Sequence, residues 1–206
     1  MFDVISGALR ASLVTFALCG FAYPFAVTAL GQWLMPYQAK GSLVLDARGT
    51  VLGSQLIGQQ WDDPQWFHGR PSATTDVDPN DATKTIPAPY NAASSSASNL
   101  GPTSYALEGR IVDAWKALDD AEPETTNNLL PADMLTASAS GLDPDISPAN
   151  ALLQVNRVAR ARGVAPDRVA ALVKQQITPR VFGVFGERRV NVLQLNLALD
   201  REFPMR

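Results

Sequence analysis

A single imidazole is available to this chain of 206 residues. His68 follows the aromatic pair Trp66-Phe67 and precedes Gly69-Arg70-Pro71-Ser72-Ala73. Three kinds of work are open to it there: general base, metal ligand, or part of a recognition surface. A base needs a hydroxyl within hydrogen-bond reach and a carboxylate behind it, and Ser138 or Ser140 with Asp143 supplies those types. Yet Thr136-Ala137-Ser138-Ala139-Ser140-Gly141 lacks the first glycine of G-x-S-x-G, so no sharp nucleophile turn is signalled. That weighs against catalysis and leaves His68 and Arg70 to hold a turn or to meet a partner.

Other constellations are weaker. Asp76, Asp78 and Asn80 have the spacing that starts a calcium loop, but Asp81 stands where the glycine belongs and Pro87 where the bidentate glutamate belongs. The stretch therefore reads as a solvated acidic turn. Ser96 to Thr103 has the makings of a small anion nest, but no lysine and no G-x-x-x-x-G-K pattern. With one histidine and one cysteine, Cys19, no thiolate cluster or intrachain disulfide is possible, and no metal site is assigned. The net charge of -3 speaks against nucleic acid, whose affinity is built on clustered Lys and Arg.

The elements that must position these residues begin with an apolar run. From Ala11 to Ala39 there is no charged side chain, and Ala11 to Met35 would reach roughly 38 Å as a helix, enough to cross a hydrocarbon core about 30 Å thick. A cleaved signal peptide is the rival, but the run is long and its leading segment carries only Arg10 as a cation. Tyr23-Pro24 marks an expected kink, and Trp33 and Tyr37 fall where an interfacial aromatic belt would lie. Arg10 before the span and Lys40 and Arg48 after it leave orientation undecided. Residues 1–40 are thus read as an anchor, with the span about 11–35, and 41–206 as a soluble domain.

Alternation on either side of Asp46-Ala47-Arg48-Gly49 predicts a β-hairpin within Gly41 to Gln59. Pro71 to Ser104, dense in Ser, Thr, Asn, Asp and Pro, predicts a long loop or several turns. Ser104 is placed as the cap of a helix to about Asp119, with Leu107, Ile111, Ala114, Trp115 and Leu118 on one face. Ser147-Pro148 opens a helix to about Gly163 whose stripe is Ala151, Leu152, Val155, Val158 and Ala159. Asn150, Gln154 and Arg157 fall on its polar flank, read as solvated surface or as a docking or ligand surface. Pro166 starts another helix to about Thr178. Leucines at 193, 195, 197 and 199 suggest a strand in Arg189 to Asp200, although so short an apolar run also suits a helix. The fold class is α+β: one N-terminal transmembrane helix, then a single mixed α/β domain.

In order and spacing, the apolar span with its Tyr-Pro and Leu-Gly-Gln-Trp, Gly41–Leu45, Gly53–Gln59, Phe67–Ala73, Ser98–Thr103, Thr136–Pro148, Gln154–Gly163 and Arg189–Asp200 resemble the C subunit of the Kdp-type potassium-transporting ATPase. The resemblance covers nearly the whole chain. It implies a non-catalytic accessory subunit in the cell's inner membrane, its amino end cytoplasmic and its domain extracytoplasmic. The implied partners are a channel-like potassium subunit, a P-type ATP-hydrolysing subunit, a small hydrophobic peptide and membrane lipid. The implied role is to stabilise the assembly, either as a catalytic chaperone raising ATP affinity or as a cover over the ion entrance. On this basis His68, Arg70, Asn99 and Asp143 are partner-binding candidates. Gln154 is the candidate for a nucleotide effect, with ATP reached through the complex rather than held firmly as a cofactor.

Two departures from the family pattern bear on those roles. Ser95-Ser96-Ala97-Ser98-Asn99 replaces the usual Ser-Gly-Gly-Ser-Asn, which weakens a nucleotide reading of that loop, and Asp145 stands where His or Asn is common. The alternatives from other classes are a membrane-tethered serine hydrolase and a single-pass extracellular ligand-binding module.

Overall fold

The computed structural model describes residues 2–126 and 129–205. They form two compact units, residues 1–52 and 53–206.

The first unit is dominated by one helical run, Phe2–Leu34, of 33 residues. It consists of α1 (Phe2–Ala17), a π-helical turn (Leu18–Ala22) and α2 (Tyr23–Leu34). At about 1.5 Å per residue it extends about 50 Å, and residues 11–34 of the expected span lie within it. It is long and apolar enough to cross a membrane. The expected kink at Pro24 takes the form of the π turn. Proline has no N–H to give and its ring crowds the carbonyl four residues back, so the helix widens just before it and Tyr23 N–H reaches Leu18 O instead. A short α3 (Pro36–Ala39) follows.

The predicted hairpin is present as β1 (Leu43–Leu45) and β2 (Val51–Ser54). Asp46 Oδ1 closes its turn by accepting Arg48 N–H and Thr50 N–H at 2.8 and 2.7 Å. Gly49, at φ +82°, takes the left-handed position that a side chain would disfavour.

In the second unit, β3 (Thr75–Asp78) and β4 (Asp81–Pro87) form a hairpin inside the segment expected to be loop. Its residues are exposed or half-buried on both faces, so no apolar alternation announced it. The acidic residues serve its turn: Asp78 Oδ1 accepts Asn80 N–H at 2.8 Å, and Asp81 Oδ1 accepts Thr83 N–H at 3.0 Å. Then come α4 (Tyr105–Ala121), α5 (Pro123–Thr126) and α6 (Ala132–Leu135). α4 starts at Ser104 as predicted, but the carbonyl of Ser104, not its hydroxyl, receives the first N–H groups. Leu107, Ile111, Ala114 and Leu118 share a half-buried stripe, while Trp115 is exposed.

The core lies in the carboxyl-terminal third. β5 (Asp145–Ile146), α7 (Pro148–Leu153), α8 (Val155–Arg162), α9 (Pro166–Gln175), β6 (Ile177–Thr178), β7 (Arg189–Asn191) and α10 (Val192–Glu202) follow in order. The strands make an antiparallel sheet, β5-β7-β6, in which Val190 faces both Ile146 and Ile177. Val155, Val158, Val169, Val173, Leu195 and Leu199 pack with Phe67 into one cluster. Ser147 Oγ caps α7 by accepting Asn150 N–H at 3.1 Å, and Gly163 (φ +64°) ends α8.

Three expectations are corrected here. The tail is strand only over Arg189–Asn191, in β7, and from Val192 it is the helix α10: Asn191 Oδ1 accepts Gln194 N–H at 3.1 Å as its N-cap, and Val192, Leu195, Asn196, Leu199 and Phe203 recur at helical spacing inside the core. The period-two leucines misled because this helix is apolar beyond one stripe; Leu197 is half-buried. The helix from Pro148 is interrupted at Gln154. Its flank is not solvated: Asn150 and Gln154 are 1% and 3% exposed, whereas Leu152, placed in the stripe, is exposed.

Candidate functional site

The segment carrying His68 is threaded through two buried amides. Phe67 N–H donates to Asn196 Oδ1 at 2.8 Å, and Asn196 Nδ2 donates back to Phe67 O at 3.0 Å. One residue on, His68 N–H donates to Gln154 Oε1 at 2.8 Å, and Gln154 Nε2 donates to His68 O at 3.1 Å. Each carboxamide supplies the donor–acceptor pair that a neighbouring strand would give, so an isolated extended backbone is satisfied inside the domain. Phe67 meanwhile drops its ring into the core at 0% exposure.

Gln154 has no hydrogen-bonding capacity left over. Its Nε2 also donates to Asn150 Oδ1 at 2.6 Å, and its Oε1 also accepts Arg157 Nη2 at 2.6 Å, which uses both donors and both lone pairs. Arg157 in turn holds the chain before His68, donating through Nη1 to Pro64 O at 2.7 Å and Trp66 O at 2.8 Å. Its Nε stands 2.5 Å from Glu122 Oε1, an ion pair of charge proximity rather than aligned hydrogen bonding. Burial lowers the Arg157 pKa, and Glu122 pushes it back up. Arg162, its side chain fully buried, repeats the device: Nε donates to Gln65 O at 3.0 Å, Nη1 to Phe203 O at 2.8 Å, and its guanidinium lies 4.4 Å from the Trp66 ring centre.

The imidazole faces Asp63 O and Arg157. His68 Nε2 is 3.1 Å from Asp63 O and 3.3 Å from Arg157 Nη1. Both protons of that Nη1 are already directed at Pro64 and Trp66, so Nε2 carries its own proton and donates it to Asp63 O. Burial, then the Arg157 charge, depresses the His68 pKa, which keeps the ring neutral near pH 7. No hydrogen bond among the described residues joins His68 to Ser138, Ser140 or Asp143. Ser138 Oγ accepts Gly141 N–H at 2.8 Å, Ser140 Oγ accepts Leu142 N–H at 3.1 Å, and Asp143 Oδ2 pairs with Arg70 Nη1 at 3.0 Å. The structure therefore does not assemble the serine, histidine and aspartate into a relay.

Arg70 also reaches Thr136 O and Ala137 O at 3.4 and 3.3 Å, tying the Thr136–Asp143 stretch to the turn after His68. Tyr90 locks that turn from the other side. Its hydroxyl donates to Arg70 O at 2.7 Å, and a Cβ added at Gly69 would collide with that hydroxyl and one added at Gly58 with the ring. Burial and the neighbouring Asp143 raise its pKa to about 12. Ser72 Oγ donates to Gly141 O at 2.7 Å, Thr74 Oγ1 donates to Ala88 O at 2.6 Å, and Ser95 Oγ donates to Ser140 O at 2.9 Å. Asn99 is exposed, at φ +53°.

A cavity of ≈ 520 Å³ adjoins this framework, with His68, Arg70, Tyr90, Leu118, Glu122 and Arg157 among its lining. Of the residues singled out from sequence, His68, Arg70, Asp143 and Gln154 are linked through this network, and Asn99 is not. Asn196, Glu122, Tyr90 and Asp133 went unnoticed. Asp133 holds Ser147 N–H at 2.7 Å and Asn150 Nδ2 at 3.1 Å. Asn196 shares the stretch from Val190 to Leu199 with two other amides, Asn191 and Gln194, so its type alone did not mark it as the buried one.

The family model for the K+-transporting ATPase, c chain, matches residues 5–201. The chain belongs to the KdpC family. Potassium-transporting ATPase KdpC subunits are among its relatives: 52% identity with that of Rhodopseudomonas palustris strain BisB5 spans 97% of this chain and 98% of the relative. That of Bradyrhizobium diazoefficiens is also 52% identical, over 98% of both chains. The KdpC subunit of Methylorubrum populi is 54% identical over 89% of this chain and 90% of its own length. The matched stretch thus runs from the apolar helix into α10.

Proposed function

We propose that this chain is a non-catalytic accessory subunit of an ATP-driven potassium uptake complex. The run α1–α2 anchors it in the inner membrane with its amino end cytoplasmic, and the following domain works on the outer face. There it stabilises the union of a channel-like potassium subunit, an ATP-hydrolysing subunit and a small hydrophobic peptide. The observation that carries this reading is the occupation of the chemically able side chains. Gln154, Arg157, Arg70 and Asp143 are spent on holding the chain's own backbone, and His68 is engaged with Asp63 O. Such a framework gives a domain of fixed shape, which is what an assembly partner requires.

Any effect of Gln154 on ATP affinity then acts through the complex, as a coupling between separate sites. A domain outside the membrane has no direct access to cytoplasmic ATP, and an amide with four bonds made has none to offer a nucleotide. Covering the ion entrance is the companion role, compatible with the same topology. The test is reconstitution of the transport complex with and without this chain. Potassium-stimulated ATP hydrolysis and co-purification of the other subunits should both depend on it, while the chain alone should neither hydrolyse nor bind ATP. Turnover by the pure chain that disappears in His68→Ala or Ser140→Ala would turn the reading toward a hydrolase.

A further inference from the structure

The β1–β2 hairpin leaves its apolar side chains uncovered just past the end of the long helix. Leu43, Leu45, Val51 and Leu52 are 40%, 54%, 54% and 39% exposed. Asp46 N–H donates to Thr50 O at 2.9 Å, which sets Leu45 beside Val51 across the pair, on the same face as Leu43. The two strands form a sheet of their own. A two-stranded sheet is marginal in water and needs an apolar layer against one face.

The chain leading into the hairpin says where that layer lies. No charged side chain occurs from Ala11 to Ala39, whereas Asp3 and Arg10 sit at the amino end of the helix. A helix of about 50 Å crossing a hydrocarbon core about 30 Å thick therefore has its surplus length at the amino end. Leu34 then reaches the opposite boundary, where the exposed rings of Trp33 and Tyr37 suit the headgroup level. Just beyond, the backbone folds back: Ser42 N–H donates to Tyr37 O and the Tyr37 hydroxyl to Ser42 O, both at 3.1 Å, across Gly41 at φ +87°. That corner keeps Leu43 within about 20 Å of Leu34.

We propose that the β1–β2 hairpin rests on the surface of the bilayer that its own helix crosses, with Leu43, Leu45 and Val51 at the boundary of headgroups and acyl chains and Lys40 and Arg48 on lipid phosphates. This rests on the helix crossing a membrane, not on the role given to the chain in a complex. Three observations choose lipid over a protein partner. The first is position, since the corner at Tyr37 and Ser42 ties the hairpin to the place where the helix leaves the membrane. The second is charge. Lys40 and Arg48 are exposed and pair with no carboxylate among the described residues, while the one carboxylate of the hairpin, Asp46, is spent on Arg48 N–H and Thr50 N–H. Cations flanking exposed aliphatic side chains match anionic phosphates laid over hydrocarbon. The third is composition: leucine and valine are under-represented among the anchors of protein interfaces, whereas hydrocarbon takes them up without a shaped pocket.

The experiment puts a nitroxide on the full chain, in a Cys19→Ser background, at one introduced cysteine: Leu45→Cys, Asp120→Cys or Val27→Cys. Each protein is reconstituted in vesicles of phosphatidylglycerol and phosphatidylethanolamine, and collisions with oxygen, which concentrates in the bilayer, are compared with collisions with a water-soluble nickel chelate. The oxygen-to-nickel ratio at position 45 should exceed that at position 120, an exposed site on α4, at least tenfold. Removing both cations, Lys40→Ala with Arg48→Ala, should lower the ratio at 45 at least threefold. In native membranes, p-benzoylphenylalanine at position 45 should yield phospholipid adducts on illumination. A ratio at 45 equal to that at 120 places the hairpin in water and overturns the proposal, as does an adduct with another polypeptide or with a second copy of this chain. A ratio unmoved by loss of both cations overturns it as well, because the headgroup contacts would then be absent. If the label at 27 is not immersed, the helix does not cross the bilayer and that reading fails too; an immersed 27 with an aqueous 45 defeats the hairpin contact alone.

Discussion

The carboxyl-terminal core and the serine-rich loops hold their backbone by different means. In α7 to α10, helices satisfy their own hydrogen bonds and leave Val158, Val169, Leu195 and Leu199 to be buried, so order comes from removing apolar surface from water. In the stretches around Ser72–Ser96 and Ser138–Asp143 there is little apolar side chain to bury. Order comes instead from hydroxyls, amides and Arg70 reaching carbonyls and N–H groups of distant loops. Residues 63–68 lie where the two schemes meet: Phe67 belongs to the core, while Asn196, Gln154, Arg157 and Arg162 hold its polar backbone. Polarity in the sequence therefore does not mean solvent in the structure, provided that every polar group finds its partner.

The comparison can be broken at several points, and the effects should fall in order. Leu195→Ala should cost about 4 kcal/mol in equilibrium unfolding of the full chain in detergent, because it opens a cavity at a fully buried position in the core. Gln154→Ala should cost about 3 kcal/mol, since it strands the His68 N–H and carbonyl and the amide of Asn150 in a buried setting. A loss below about 0.5 kcal/mol would mean that the clamp contributes no stability. In the loops, Thr74→Ala removes the bond to Ala88 O and should cost about 1 kcal/mol globally. Its clearer signature should be faster proteolysis confined to the Ser72–Ser96 region, with the core still protected.

The smallest expected effect is one of pH. Burial holds the His68 pKa below its ordinary value of 6.5, so the unfolded chain takes up a proton that the folded chain resists. His68 thus contributes stability above pH 6.5 that is lost as the pH falls from there toward its depressed folded value. Unfolding midpoints should decline across that window, and His68→Gln should flatten the decline. An unchanged slope in the variant would assign the pH dependence to other groups.

What was legible in the sequence follows the same division. The long apolar helix, the Asp46 turn, the Ser147-Pro148 start and the apolar residues of α7–α9 were readable because each rests on local chemistry: length, a turn carboxylate, a cap, a 3.6-residue spacing. The β3–β4 hairpin was not, since strands exposed on both faces need no alternation. α10 was misread because a deeply buried helix is apolar on several sides. The site was half legible. His68, Arg70, Asp143 and Gln154 stood out by type, but their partners lie 66 to 86 positions away in the chain, and nothing local records such distances. Gln154 was placed on a polar flank, solvated or docking, on helical spacing alone, and only the approach of the His68 backbone makes it interior.

The His68 segment is a completed internal clamp rather than a site waiting for a ligand. Amide hydrogen exchange of the full chain in lipid nanodiscs, without nucleotide, measures this at single residues. The Phe67 and His68 N–H groups should both be strongly protected in the wild type and unaffected by added ATP. In Gln154→Ala the His68 amide should exchange much faster, with Phe67 still slowed by Asn196. Rapid exchange at His68 in the wild type that slows when ATP is added would contradict the account and place a nucleotide where the structure places a hydrogen-bonded backbone.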